Sequence, residues 1–226
     1  MKAVILAAGQ GLRMRPLTLD KPKPLVEVAG KPLVERLVLN LPKEIDELII
    51  VVGYLANKVE DYCGDNFLGK KVTYVFQREY LGTAHALKLC RPYLNNERFL
   101  VVCADDLYGK KGLENLLKHR LAVLALEHVE PKRFGVIEME NGYLKRILEK
   151  PEEPPTNLVN TGAMILDDKV FDYEIEKSKS GEYYLTDLVN LVAKDRKVKV
   201  ERADFWVPVG TPDDIVLAEE KLRWVK

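Results

Sequence analysis

Residues 3–18 read AVILAAGQGLRMRPLT: an apolar run of strand length that drops directly into a loop carrying Gly9 and Gly11, followed by Arg13 and Arg15. A buried strand thus delivers an amide-rich loop to the edge of a sheet, and fixed positive charge follows at once. The two glycines let the backbone approach a ligand and leave N–H groups turned outward, which is how loops cradle phosphate. The two guanidinium groups can neutralise one anion through forked hydrogen bonds. The better-known phosphate loops do not fit. A dinucleotide fingerprint begun at Gly9 needs a glycine at Met14, and a P-loop needs glycine and lysine at Met14 and Arg15. Pro16 argues against a helix starting straight after the glycines, so backbone and arginine are expected to wrap the anion. A plain strand-to-loop turn with surface arginines is the competing reading of this stretch alone.

Working outward, the first half alternates strand-like segments (2–7, 47–52, 71–76 and 98–103) with helical patterns (32–41, 56–63 and 83–94, the last capped by Thr83). Such alternation predicts a parallel sheet covered on both faces. Ligands collect at the carboxyl ends of strands in these sheets, so the glycine loop and Asp105-Asp106 should meet there. The second half changes character. Segment 121–126 reads as a buried strand, and 135–140 and 143–148 flank Asn141-Gly142, a hairpin signal. An exposed loop (150–157), a central strand (161–166), a helix (186–194) and a strand (198–202) follow. Thr211-Pro212-Asp213-Asp214 announces a final helix with an N-cap, a first-turn proline and first-turn acids. No linker, internal repeat, hexapeptide solenoid or low-complexity tract is visible. One domain over 1–226 is expected, with a first half to about residue 110 and a second half of different character after it.

With 226 residues the chain can bury a full core, and its 35 basic and 35 acidic residues suggest neither a nucleic-acid nor a membrane partner. Cys63, Cys90 and Cys103 are odd in number and form no C-x-x-C pair, which fits a reducing compartment and a cytoplasmic location. Lys2 and the apolar run after it look superficially like a signal peptide, but the run is too short and leads into functional-looking residues.

Asp105 and Asp106 end an apolar strand opposite the expected anion loop, a placement that suggests magnesium, which takes one or two carboxylates plus substrate phosphates. Lys21 and Lys23 alternate with prolines in KPKPL, so either can be aimed at a phosphate or simply solvated. The amide of Gln77 can both donate to and accept from a pyrimidine edge. Gly82 lets a base lie close to the backbone. His85 reads as a packing or supporting residue. Nucleophile and acid–base candidates are scarce. Attack by an already anionic phosphate oxygen needs none, only positioning and charge stabilisation.

The blocks AAGQGLRMRPLT, KPKPLVEVAGKPL, QREYLGTAHAL, VVCADDLYG, RFGVIE, EKP, NTGAMIL, GEYYLTD and WVPVGTPDDI occur in that order from end to end. Together they closely resemble the sugar-1-phosphate nucleotidyltransferase family. The resemblance implies an α/β chain with a Rossmann-like three-layer α/β/α fold, GT-A-like, built on a mixed, mostly parallel central sheet. It implies the reaction of a nucleoside triphosphate with a sugar 1-phosphate to give a nucleotide sugar and pyrophosphate, with Mg2+ as cofactor and room for a homo-oligomer. Arg13 would hold the leaving pyrophosphate, Lys23 would stabilise the α-phosphate, and Asp105 would bind the metal. Leu6, Ala7, Ala8, Gly9, Gly11, Gln77, Gly82 and Thr83 would form the nucleotide site. Gly135, Glu149 and Asn160 would meet the sugar, Lys150 its phosphate, with Thr161 and Glu182 as further lining residues.

Two departures stand out. Leu12 replaces a common threonine, a minor change. More important, many members read W-x-D-x-G near the end, where the aspartate is a second metal ligand, and this chain has Pro208 there. Either magnesium is held by Asp105, the nucleotide and water, or another acid such as Asp204 substitutes, or catalysis is impaired. UTP or dTTP is favoured. Guanylyl or cytidylyl transfer to mannose 1-phosphate or phosphocholine remains an alternative, as does a non-catalytic nucleotide-sugar-binding regulatory subunit.

Overall fold

A computed structural model describes residues 1–178 and 180–224. β1 (Lys2–Leu6) enters the glycine loop, and a small hairpin of β2 (Glu27–Val28) and β3 (Lys31–Pro32) leads into α1 (Leu33–Asn40). β4 (Glu47–Val52), α2 (Ala56–Cys63), β5 (Asn66–Phe67), β6 (Lys70–Phe76), α3 (Thr83–Leu89) and β7 (Arg98–Cys103) follow. β8 (Asp106–Tyr108) and α4 (Lys110–Leu116) lie just past the tip of β7. The second half contains β9 (Ala122–Glu127), β10 (Gly135–Glu140), β11 (Tyr143–Glu149), β12 (Leu158–Asp167), α5 (Leu185–Asp195), β13 (Lys199–Arg202), β14 (Trp206–Pro208) and α6 (Pro212–Trp224).

Ten strands form one sheet in the order β10-β11-β13-β9-β12-β7-β1-β4-β6-β5. β1 runs parallel to β4 and β7, and β6 extends the parallel run. Beyond β7 the character changes: β12 is antiparallel to both β7 and β9, and β10 and β11 form an antiparallel hairpin. The expectation of a mostly parallel sheet is therefore corrected to one parallel half joined to a largely antiparallel half. For the β10–β11 pair the physical cause is local. Asn141 and Gly142 both adopt positive φ, 51° and 79°, the turn that joins neighbouring strands directly and forces them antiparallel.

Residues of β1 alternate between the faces. Val4 packs in the core shared with α3 and α5, while Ala3 and Ile5 pack in the core shared with α1, α2 and α4. This alternation creates the three layers, each buried Val or Ile adding about 1.5–3 kcal/mol relative to exposure. A third, smaller core joins Met14, Val28, Leu107, Val207, Val209 and Ala218, tying the loop after β1 to β8, β14 and α6.

Several elements differ from the sequence reading. The helix expected over 83–94 ends at Leu89, and a 3-10 turn over Arg91–Tyr93 accommodates Pro92. Thr83 is its first residue rather than its cap, because its hydroxyl is engaged elsewhere. The β2–β3 hairpin, the β8–β14 ladder and α4 carry no pattern long enough to be read locally. Among the described residues no helix is long and apolar enough to cross a membrane.

Candidate active site

Leu6 lies opposite Cys103 in the β1–β7 ladder, so the glycine loop and Asp105 leave the sheet side by side. The antiparallel return of β12 beside β7 brings Asn160 to the same edge. Two adjoining cavities open there, about 410 and 300 Å³, with Leu6, Lys23, Thr83, Cys103 and Asp105 in the walls of both. All eight residues expected at the nucleotide line the first cavity. Arg13, Gly135, Glu149, Lys150 and Asn160 line the second.

Gly11 is favoured as glycine on two grounds: its φ is +63°, and a Cβ would lie 3.1 Å from Thr18 and 3.2 Å from Lys23. A Cβ on Gly9, which lines the first cavity, would meet nothing, so packing does not demand glycine there. Among the described residues no protein acceptor is found for the N–H groups of Gly9, Gln10, Gly11 and Leu12, which leaves a row of free donors suited to phosphate. A 3-10 turn over Leu12–Met14 follows, with Met14 buried and Arg13 exposed. The Arg13 guanidinium rests against Gly210, about 3.5 Å from where a Cβ would stand. Arg15 lines neither cavity. The pairing of the two arginines on one anion is thus corrected: Arg13 lines the second cavity and Arg15 lies outside both.

Lys23 is buried and forms an ion pair with Asp105. Lys21 stays on the surface, 3.5 Å from Glu27. Asp106 is buried next to them. Trp206 Nε1 donates to its Oδ2 at 3.1 Å, and the Tyr108 hydroxyl lies 3.3 Å from the same oxygen. That hydroxyl is also 2.9 Å from the Thr161 carbonyl. Burial pushes the Asp106 carboxyl well above the usual carboxylate range, and the neighbouring Asp105 adds to the shift. Lys23, Trp206 and Tyr108 oppose it.

Ligand atoms of Cys103, Asp105 and Asp106 fall within 4.8 Å of one another. The two carboxylates suit magnesium, whose remaining positions go to substrate phosphate and water. Cys103 does not suit it: burial raises the thiol well above its ordinary value, and sulfur is a poor donor for a hard cation. Pro208 stands directly opposite Asp106 in the β8–β14 ladder, so the carboxylate absent at 208 has a counterpart across the pair. Asp204 does not replace it. It accepts the Gly112 N–H at 2.6 Å and fills the space beside Gly109 at the start of α4.

At the far end of the first cavity, Gln77 is buried, with Nε2 3.0 Å from the Gly82 carbonyl and 3.1 Å from His85 Nδ1. Gly82 has φ 95° and ψ 178°, and a Cβ would lie 2.5 Å from the Tyr183 carbonyl. Its glycine is demanded by this neighbouring strap, which the sequence reading did not foresee. The strap is bonded in place: Tyr183 N to Leu81 O at 2.8 Å, Ala84 N to Tyr183 O at 2.9 Å, and Leu185 N to Thr83 Oγ1 at 2.9 Å. Glu182, at its start, faces the first cavity.

In the second cavity, Gly135 pairs with Glu149 across the hairpin, and a Cβ there would press on Ile147 at 2.8 Å. Burial raises the Glu149 carboxyl above its ordinary range. The charge of Lys150 and a 3.3 Å hydrogen bond from Thr186 only partly offset this. Asn160 spends its side-chain oxygen on Gly162 N at 3.2 Å, which leaves its amide hydrogens for a ligand. Thr161 turns its hydroxyl to the Leu124 carbonyl at 3.0 Å and so offers no hydroxyl to the cavity. Arg133, Tyr184 and Trp206 also line this space and were not singled out in the sequence. All three lie in the blocks that carry the family resemblance, but only the folded neighbourhood shows that they line this cavity.

Residues 2–223 match the family model described as nucleotidyl transferase. The bifunctional protein GlmU of Methanocaldococcus jannaschii is 36% identical over 228 residues, covering 98% of this chain and 54% of that protein. The chain therefore spans about half the length of such relatives. UTP–glucose-1-phosphate uridylyltransferase AglF of Haloferax volcanii is 34% identical, covering 99% of this chain and 97% of that protein. A crystal structure from Bacillus anthracis, assigned as a glucose-1-phosphate thymidylyltransferase and holding sucrose, superposes with TM-score 0.89 and 30% identity, covering 99% of this chain and 95% of that one. UDP-glucose pyrophosphorylase with UDP-glucose shares the fold, with TM-score 0.86 at 24% identity and coverage of 100% of this chain and 99% of that one. On the match that runs through nearly its whole length, this chain belongs to the sugar-1-phosphate nucleotidyltransferase family.

Proposed function

We propose that the chain joins UTP or dTTP to a sugar 1-phosphate, releasing pyrophosphate and a nucleotide sugar. The observation that carries this reading is the Lys23–Asp105 pair in the common wall of two cavities. One cavity offers free amides and Gln77, and the other offers Glu149, Asn160 and Lys150. The reacting α-phosphate belongs at that seam. A phosphate oxygen of the sugar 1-phosphate attacks the α-phosphorus, the bond to the β-phosphate breaks, and pyrophosphate leaves with the electron pair. The nucleophile is already anionic, so no general base is needed. Lys23 offsets charge on the α-phosphate, and Arg13 with the Gly9–Leu12 amides holds the departing pyrophosphate. Asp105, with Asp106 beside it, would hold magnesium, which supplies further charge neutralisation on the phosphates. Gly135, Glu149 and Asn160 orient the sugar, and Lys150 guides its phosphate. The two halves act as one domain. Three unpaired cysteines favour a reducing, cytoplasmic setting.

Uracil and thymine are favoured because the relatives named above include a uridylyltransferase and a thymidylyltransferase. Pro208 supports one other reading, a nucleotide-sugar-binding regulatory subunit without turnover. Magnesium-dependent pyrophosphate release, measured across nucleotides and sugar 1-phosphates, separates the two. Turnover of at least one pair supports the enzyme. Tight nucleotide-sugar binding with no turnover of any pair supports the subunit.

A further inference from the structure

A glutamine amide can offer a ligand either its oxygen or its nitrogen, and the choice decides which base edge it accepts. At Gln77 two neighbours make that choice. The Gly82 carbonyl, 3.0 Å away, can only accept, so the atom facing it is the N–H2 group. The second amide hydrogen points to His85 Nδ1, 3.1 Å away. With both hydrogens engaged, Oε1 is the end left over. The side chain is all but buried, 6% exposed, and lines the first cavity. An acceptor there meets a ring N–H favourably and meets a bare ring nitrogen lone pair against lone pair.

We propose that His85 is a positioning residue that takes the last free donor of Gln77, so that only an acceptor faces the base. The inference rests on Gln77 being the base contact of the proposed transferase. His85 does so as the tautomer protonated at Nε2, with Nδ1 accepting. The site is then committed to a base with a ring N–H at that edge, such as N3–H of uracil or thymine. Cytosine, whose N3 carries a lone pair, is turned away. The Gly82 carbonyl is backbone and cannot be varied by side-chain choice, but His85 can. An apolar residue at 85 releases one amide hydrogen, which can then turn to cytosine.

The test compares kcat/KM for UTP and CTP, with the best sugar 1-phosphate, in the wild type, His85→Leu and His85→Asn. Discrimination against CTP is expected to fall roughly fivefold in His85→Leu, the worth of one net hydrogen bond. The change should lie in the KM for CTP, with kcat on UTP moving less. His85→Asn, whose side-chain oxygen can stand near the place of Nδ1, should restore the discrimination. Nitrogen-15 NMR of the His85 ring should show the Nε2-protonated tautomer. Unchanged discrimination in His85→Leu, failure of His85→Asn to restore it, or the Nδ1-protonated tautomer would each overturn the role of His85 and leave the transferase standing. Absence of turnover with every nucleotide would overturn both.

Discussion

Lys21 and Lys23 stand two residues apart on the same proline-stiffened segment, yet one is solvated and the other is buried against Asp105. The local sequence could not rank them, because burial is decided by a strand tip some eighty residues onward. Arg13 and Arg15 pose the same problem, and only the folded chain shows that Arg13 alone lines a cavity. Only the residues facing the seam should matter to chemistry. Arg13→Ala and Lys23→Ala are each expected to lower kcat about a hundredfold, as for other lost electrostatic stabilisers. The effect on Arg15→Ala should be small by comparison. Steady-state pyrophosphate release, with circular dichroism to confirm folding, checks all three. Near-normal turnover in Arg13→Ala and Lys23→Ala would refute their placement.

At the scale of elements, the strap from Tyr183 to Leu185 holds the start of α3 through three hydrogen bonds. Gly82 sits in a backbone region that is essentially glycine-only. Gly82→Ala should therefore cost about 1–3 kcal/mol or more in urea denaturation, because it adds the Tyr183 clash to the backbone strain. An unchanged midpoint would show that the strap yields freely. The start of α6 was readable as a Thr-Pro-Asp-Asp signal, but the working cap is Asp214. It accepts from Gly210 N at 2.9 Å, Thr211 N at 2.8 Å and Thr211 Oγ1 at 2.9 Å. Burial alone would raise its carboxyl, but these bonds and the charge of Arg133 hold it below the usual range. A carboxyl depressed in the folded state stabilises fully above its unfolded value, near 3.9, and loses that contribution as pH falls through the lower folded value. Asp214→Ala should thus cost about 1–2 kcal/mol near neutrality, with the gap from wild type narrowing below about pH 4. A pH-independent gap would contradict the assignment.

At the scale of the molecule, the parallel half was legible because β1, β4 and β7 are short apolar runs buried on both faces. The helices between them keep helical spacing. The antiparallel half was legible at Asn141-Gly142 and dim elsewhere. Nothing local tells that β12 threads between β7 and β9. The β8–β14 ladder was invisible because each strand has three residues and the partners lie far apart in the chain. That ladder sets Pro208 opposite Asp106 and brings Trp206 to its carboxylate, so the departure at 208 was legible in the sequence while its neighbours were not. The central claim is that both cavities serve one polyanionic ligand. A crystal structure with UDP-glucose and one with dTDP-glucose test it most directly. The account predicts the base at Gln77, the diphosphate over Lys23 and Asp105, and the sugar between Glu149 and Asn160. A nucleotide sugar bound with its diphosphate away from that seam, or confined to one cavity, would contradict it.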